Sequence, residues 1–177
     1  MSVAAQFRKM LADDRGAEIA EAAAVLPLMF LILLGIFWFG QAFSIYGAIT
    51  RAAEDGARAA AAPYCTTCTA GNTPAANAVN AVSAALLAAK LDPSQIQAPA
   101  SQPSFAACGG GSGPSCTGGS NVCVQTPVQL SGTTGGTNVC GVSVSFRYPF
   151  QFWLPFTSLN KQRILISASA SARMENQ

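Results

Sequence analysis

Asp14-Arg15-Gly16-Ala17-Glu18-Ile19-Ala20-Glu21 leads into the apolar run Val25-Leu-Pro-Leu-Met-Phe-Leu-Ile-Leu-Leu-Gly-Ile-Phe-Trp-Phe39, and no charged residue lies between Ala22 and Thr50. As an α-helix the charge-free stretch extends about 43 Å, against roughly 30 Å of bilayer hydrocarbon. It is long enough to span a membrane. Two carboxylates, Glu18 and Glu21, stand at its start, where burial in lipid is costly unless a cation pairs with them. Gly16-Ala17 places a small-residue step just upstream.

Upstream of that step, residues 1–16 hold Arg8, Lys9 and Arg15 against Asp13 and Asp14. A secretory signal sets a short apolar core directly after its basic residues and ends it in a small-residue cleavage site. Here Asp13, Asp14, Glu18 and Glu21 intervene and the core is too long, while the one imitation of a cleavage site, Ala57-Arg58-Ala59, lies far beyond it. Conventional signal cleavage is therefore not expected. The basic N-terminal flank favours an N-terminus held inside and a C-terminal part exported, a bias weakened by Arg51 and Arg58 on the other side.

Downstream, residues 17–62 read as one helix of roughly 69 Å. Pro27 removes one hydrogen bond, which membrane helices tolerate. Past the apolar run, Arg51/Asp55 and Glu54/Arg58 make i,i+4 pairs among alanines, giving an amphipathic stalk that Pro63 ends. Gly40, Ser44 and Ala48 recur every fourth residue, and Gly56 and Ala60 continue the spacing. Such a stripe lets helices approach closely in a membrane, although small residues are common throughout this segment.

Residues 63–177 differ in character. Residues 64–73 form a turn-rich connector, and Pro74–Leu91 reads as a second helix with Val79, Val82, Leu86 and Leu87 on one face. Asp92–Ser120 is rich in Pro, Ser, Gly and Gln and is expected to be a long loop or disordered. Three strands follow. Asn121–Leu130 contains Pro127 and so reads as an edge or bulged strand. Val139–Tyr148 and Arg163–Arg173 both alternate apolar with polar or small residues. The expected fold is α+β: a long N-terminal transmembrane and stalk helix, a second helix and a small antiparallel sheet. Six aromatics crowd into eleven positions; Phe146 and Tyr148 are expected in the core, whereas Phe150, Phe152, Trp153 and Phe156 fit either core or a contact patch.

Composition narrows the chemistry. Charged residues are 10% of the chain, against about 25% in an ordinary soluble domain. A net charge of +2 without a basic cluster gives no footprint for nucleic acid. Histidine is absent, which removes the commonest general base and a main zinc ligand. Neither a metal nor another cofactor is expected. Cys65, Cys68, Cys108, Cys116, Cys123 and Cys140 all follow the apolar run, as disulfides on the oxidising side of a membrane would. Cys65 and Cys68 form a CxxC, but no βαβ context supports a redox pair and no second close pair completes a zinc ribbon. Cys108–Cys116 would close a short Gly-rich loop. Cys123–Cys140 is less suited, because a hairpin about residues 131–137 sets Cys140 opposite about residue 128. The connectivity stays open.

The residues around Gly16 carry a family resemblance. RGAEIAEAAAVLPLMFLILLGIFWFGQAF (15–43), AITRAAEDGARAAA (48–61) and the terminal SASASARME (167–175) resemble the TadE-like pseudopilins, or minor pilins, of the tight-adherence (Flp) pilus system. The resemblance implies a non-enzymatic subunit with residues 1–16 as leader, 17–62 as membrane and stalk helix, and 63–177 as exported domain. It implies a cut after Gly16 by a membrane-embedded prepilin peptidase, leaving Ala17 as the new N-terminus and Glu21 as its fifth residue. The freed amine and Glu21 would then sit one helical turn apart. The implied partners are the inner membrane, that peptidase, other pilin subunits and the assembly machinery. Two residues depart from the family pattern: Ala22 stands where an aromatic is common, and Glu18 adds an early carboxylate. An unprocessed signal-anchored periplasmic domain, and a thiol oxidoreductase using Cys65 and Cys68, are the other readings.

Overall fold

The computed structural model describes residues 14–62, 73–117, 121–130, 139–151 and 163–174, with side chains from Ile19 onward. The chain divides into two units, Met1–Ala42 and Phe43–Gln177. Helix α1 runs Asp14–Ala61 with Pro27 inside it. In the first unit its large apolar side chains, from Ile19 to Phe39, are mostly exposed. Among the described residues nothing buries the most apolar window, which is long and apolar enough to cross a membrane.

In the second unit the same helix becomes part of a core. Ile49, Ala52, Ala53, Ala57 and Ala60 are buried, the i, i+3, i+4, i+8, i+11 stripe of a helix packed on one face. Arg51, Glu54, Asp55 and Arg58 are exposed on the other side. Arg58 lies 3.9 Å from both Glu54 and Asp55. The expected Glu54/Arg58 pair therefore forms, while Asp55 turns to Arg58 instead of Arg51. What the sequence presents as a stalk is thus core-forming helix, and its small side chains bring its backbone close to its neighbours.

Helix α2 runs Pro74–Ala88, capped by the Thr73 hydroxyl, which accepts from the Ala76 N–H at 3.2 Å. Ala78, Val82 and Leu86 are buried. Leu87 is 64% exposed, so it does not share the face of Val79, Val82 and Leu86; at 100° per residue it is carried away from Leu86. The helix also ends three residues before Leu91. The strands are β1 (Cys123–Leu130), β2 (Val139–Gln151) and β3 (Arg163–Arg173). They form one antiparallel sheet in the order β1-β2-β3. Val142, Val144, Phe146 and Tyr148 of β2 join the α1 and α2 residues in one core. Phe150 is also buried; Phe152, Trp153 and Phe156 lie outside the described residues. β1 carries the expected irregularity, a register shift between Gln125 and Val128 around a cis Thr126-Pro127 bond.

The stretch after Asp92 departs most from expectation. It is neither disordered nor free, within residues 92–117. A 3₁₀ turn at Pro93–Gln95 starts it. Gln97 then exchanges two 2.8 Å backbone bonds with Arg147, and bridges Ala107↔Val128 and Thr117↔Val124 line it along β1. Gln125, buried between, donates its amide to the carbonyls of Pro103 and Pro114 at 3.1 and 2.9 Å. The Pro, Gly and Ser content that reads as disorder here serves a segment held by other residues' hydrogen bonds.

Two smaller predictions follow from that junction. The Tyr148 hydroxyl accepts from the Asp92 N–H at 3.1 Å, so Tyr148→Phe is expected to cost about 1 kcal/mol in urea unfolding of the detergent-solubilised chain. The Asp92 carboxylate accepts from the Ser94 N–H at 2.9 Å and the Ser94 hydroxyl at 2.8 Å. Those bonds, the backbone one foremost, hold its pKa below the ordinary carboxylate value. A depressed folded pKa gives stability present above the unfolded pKa and lost as pH falls through the folded one. Asp92→Asn should therefore unfold slightly earlier than the parent at neutral pH, and the two curves should merge once the pH has fallen below the folded Asp92 pKa.

Candidate functional site

Gly16 and Ala17 belong to the backbone of α1. Glu21 follows Ala17 by four residues, about 6 Å along the helix and on the same face. The Glu21 side chain is exposed. The helix therefore places position 17 and Glu21 on one stripe at the start of an apolar surface.

Gly40 and Ser44 are exposed and Ala48 is half-buried. A Cβ at Gly40 would meet nothing within 4 Å. Ser44 and Ala48 line an open groove of about 640 Å³ with Gly47, Arg51 and Ala85. Gly56 and Ala60 differ: both are buried inside the second unit. A Cβ at Gly56 would lie 2.6 Å from Val82 Cγ2 and 3.3 Å from the Ala78 carbonyl oxygen. The four-residue spacing thus continues from a free surface into an internal packing seam, a division invisible in the spacing itself.

Cys108 bonds to Cys140 with 5.6 Å between Cα atoms, and Cys116 to Cys123 with 4.8 Å. Neither Cys108–Cys116 nor Cys123–Cys140 forms. Cys140 stands opposite Gln129 in the β1–β2 ladder, one residue from the expected position. Cys65 and Cys68 lie outside the described residues. Among the described residues no group of His, Cys, Asp and Glu gathers as a metal site.

Comparison with known families bears on the N-terminal segment. The TadE-like protein family model matches residues 16–58. That segment is similar to the TadE-like family. The match starts at Gly16, takes in Glu21 and the apolar run, and ends at Arg58, within the part of α1 that builds the core. No curated protein matches the chain, and no solved structure matches it. The matched segment thus runs from an exposed membrane-length stretch of helix into a core-forming one. Sequence reading missed Gln125, the side chain that fastens the covering segment to the sheet. A Gln facing Ser143 across a ladder was its one visible sign, and that is a weak one.

Proposed function

We propose that the protein is a minor pilin or pseudopilin of a Tad-type pilus, a structural subunit without catalysis of its own. The observation that carries this reading is the TadE-like match beginning at Gly16 and running through an apolar helix that none of the described residues buries. A prepilin peptidase cuts after Gly16 on the cytoplasmic side of the inner membrane. Ala17 then carries a free amine one turn from Glu21, and the two charges neutralise each other in the subunit or between neighbours, which relieves the cost of a carboxylate at the edge of lipid. Residues beyond the membrane are exported. Gly40, Ser44 and Ala48 offer a neighbouring pilin helix a close approach.

The test is intact mass and N-terminal sequencing of protein from native membranes, with and without the peptidase. The expected result is an N-terminus at Ala17 that disappears with the peptidase or with Gly16→Val, and a Glu21→Ala chain that is uncut or cut but unassembled. A chain that keeps its N-terminus near Met1 in the presence of the peptidase overturns the reading and leaves a signal-anchored envelope domain.

A further inference from the structure

The two edges of the sheet are treated differently. Along β1 the Ala107 and Thr117 bridges cover the outer edge, and beyond the start of β1 Gln97 occupies the adjoining edge of β2. The β3 edge has no such cover among the described residues. Which β3 groups it exposes follows from the ladder. Met174 donates its N–H to the Cys140 carbonyl, and Arg147 turns its N–H and carbonyl away from β3 towards Gln97. Backbone groups alternate sides along an antiparallel strand. Ile164, Ile166, Ala168, Ala170 and Ala172 therefore bond to β2. Leu165, Ser167, Ser169, Ser171 and Arg173 direct their N–H and C=O outward.

Exposed edges invite pairing, and folded proteins blunt them with lysine, proline, a bulge or a short strand. β3 has 11 residues and pairs with β2 in unbroken register from Arg163 to Arg173. Between those arginines there is neither charge nor proline. A groove of about 450 Å³, lined by Glu54, Arg58 and Ser169 to Ala172, lies beside it.

We propose that this edge pairs with the β3 edge of a second copy, antiparallel about a two-fold axis at Ser169. The occupant is read from the strand itself. Ser167-Ala168-Ser169-Ala170-Ser171 is a palindrome, and identical chains meeting antiparallel place a palindrome against itself. In this register Ser167 faces Ser171 of the partner, Ser169 faces its equivalent, and Leu165 faces Arg173. Small side chains meet small ones, and hydroxyls meet across strands. A shift to a centre at Ala168 would set Arg163 against Arg173, a like-charge pair that disfavours that register.

The register makes the test specific. In the full chain in detergent, Ser169→Cys should form a covalent dimer with a short thiol-to-thiol cross-linker, because facing Cα atoms lie about 5.5 Å apart. Ser167→Cys alone should not, whereas a mixture of Ser167→Cys and Ser171→Cys chains should. Ser169→Lys and Ser169→Glu should each weaken self-association at least about tenfold, and mixing them should restore it. Ser169 is exposed, so neither variant disturbs the core. Cross-linking of Ser169→Cys no stronger than that of Leu87→Cys, or a Ser169→Lys chain that associates like the parent, would overturn the proposal.

Discussion

Gly56→Leu is expected to lower the stability of the second unit by 3 kcal/mol or more, read by urea unfolding of the full chain in detergent with near-ultraviolet circular dichroism. Overpacking a filled core costs about 1–3 kcal/mol per insertion and occasionally more. Here even the first added carbon would lie 2.6 Å from Val82 Cγ2, with the Ala78 carbonyl at 3.3 Å and Val144 Cγ1 at 3.6 Å. Val82 and Val144 are fully buried, and a β-branched side chain on a helix has one strongly preferred rotamer with which to retreat. Gly56→Ala sets two effects against each other. It gains about 1 kcal/mol of helix propensity and meets the same 2.6 Å contact; we expect the clash to win by roughly 1 kcal/mol. Because the clash belongs to one pair, the cost of Gly56→Ala with Val82→Ala should fall short of the summed single costs by about 1 kcal/mol. Gly40→Leu is the control, since its added side chain meets nothing within 4 Å of the position's Cβ. A Gly56→Leu chain within 0.5 kcal/mol of the parent would mean that α1 does not pack on α2 at this point, since changes away from packed features are commonly of that size.

How legible such a seam is in a sequence depends on the kind of pattern that encodes it. The period-2 alternation of Arg163–Arg173 locates β3 at its observed bounds, because a strand half covered by helices must alternate. The Pro127 irregularity is equally readable, since proline cannot donate to a ladder. The membrane-length helix is legible from apolar length alone. Gly56 is not, because glycine and alanine are equally at home on a lipid-facing stripe and in a tight helix–sheet contact. Only the identity of the neighbour separates Gly40 from Gly56, and a neighbour contributed by α2 is invisible in a local window. The cover over β1 fails for a related reason. Its order comes from Gln125 and Arg147 acting at a distance, with Thr117 of the cover bonding back to Val124, while its own composition reads as loop. Gly16 and Glu21 are legible as an anomaly: small and acidic residues where burial alone would place neither.

Removing the Cys108–Cys140 bridge as Cys108→Ala/Cys140→Ala is expected to destabilise the domain more than removing Cys116–Cys123 in the same way. The bridges close loops with sequence separations of 32 and 7 residues. Loop-closure entropy assigns them about 3.7 and 2.5 kcal/mol. The longer bridge joins the covering segment to β2 across β1, whereas the shorter one joins it to the start of β1 beside the Thr117–Val124 bridge. Cutting the longer bridge also leaves the middle of the cover, around Ala107, held by hydrogen bonds alone, with the Cys116–Cys123 bridge fastening only its far end. Hydrogen exchange should then show faster opening of Ala107 and Gln129 before any change in the α1–α2 core. Those residues sit where Gln129 donates to the Ala106 carbonyl at 2.8 Å. Reduction of the intact chain, which opens both bridges, should cost more than either double variant. Equal losses from the two variants would sink the chain-entropy account. The cover would then stay docked through its hydrogen bonds after the long bridge is cut, and each bridge would act only on the strand it touches.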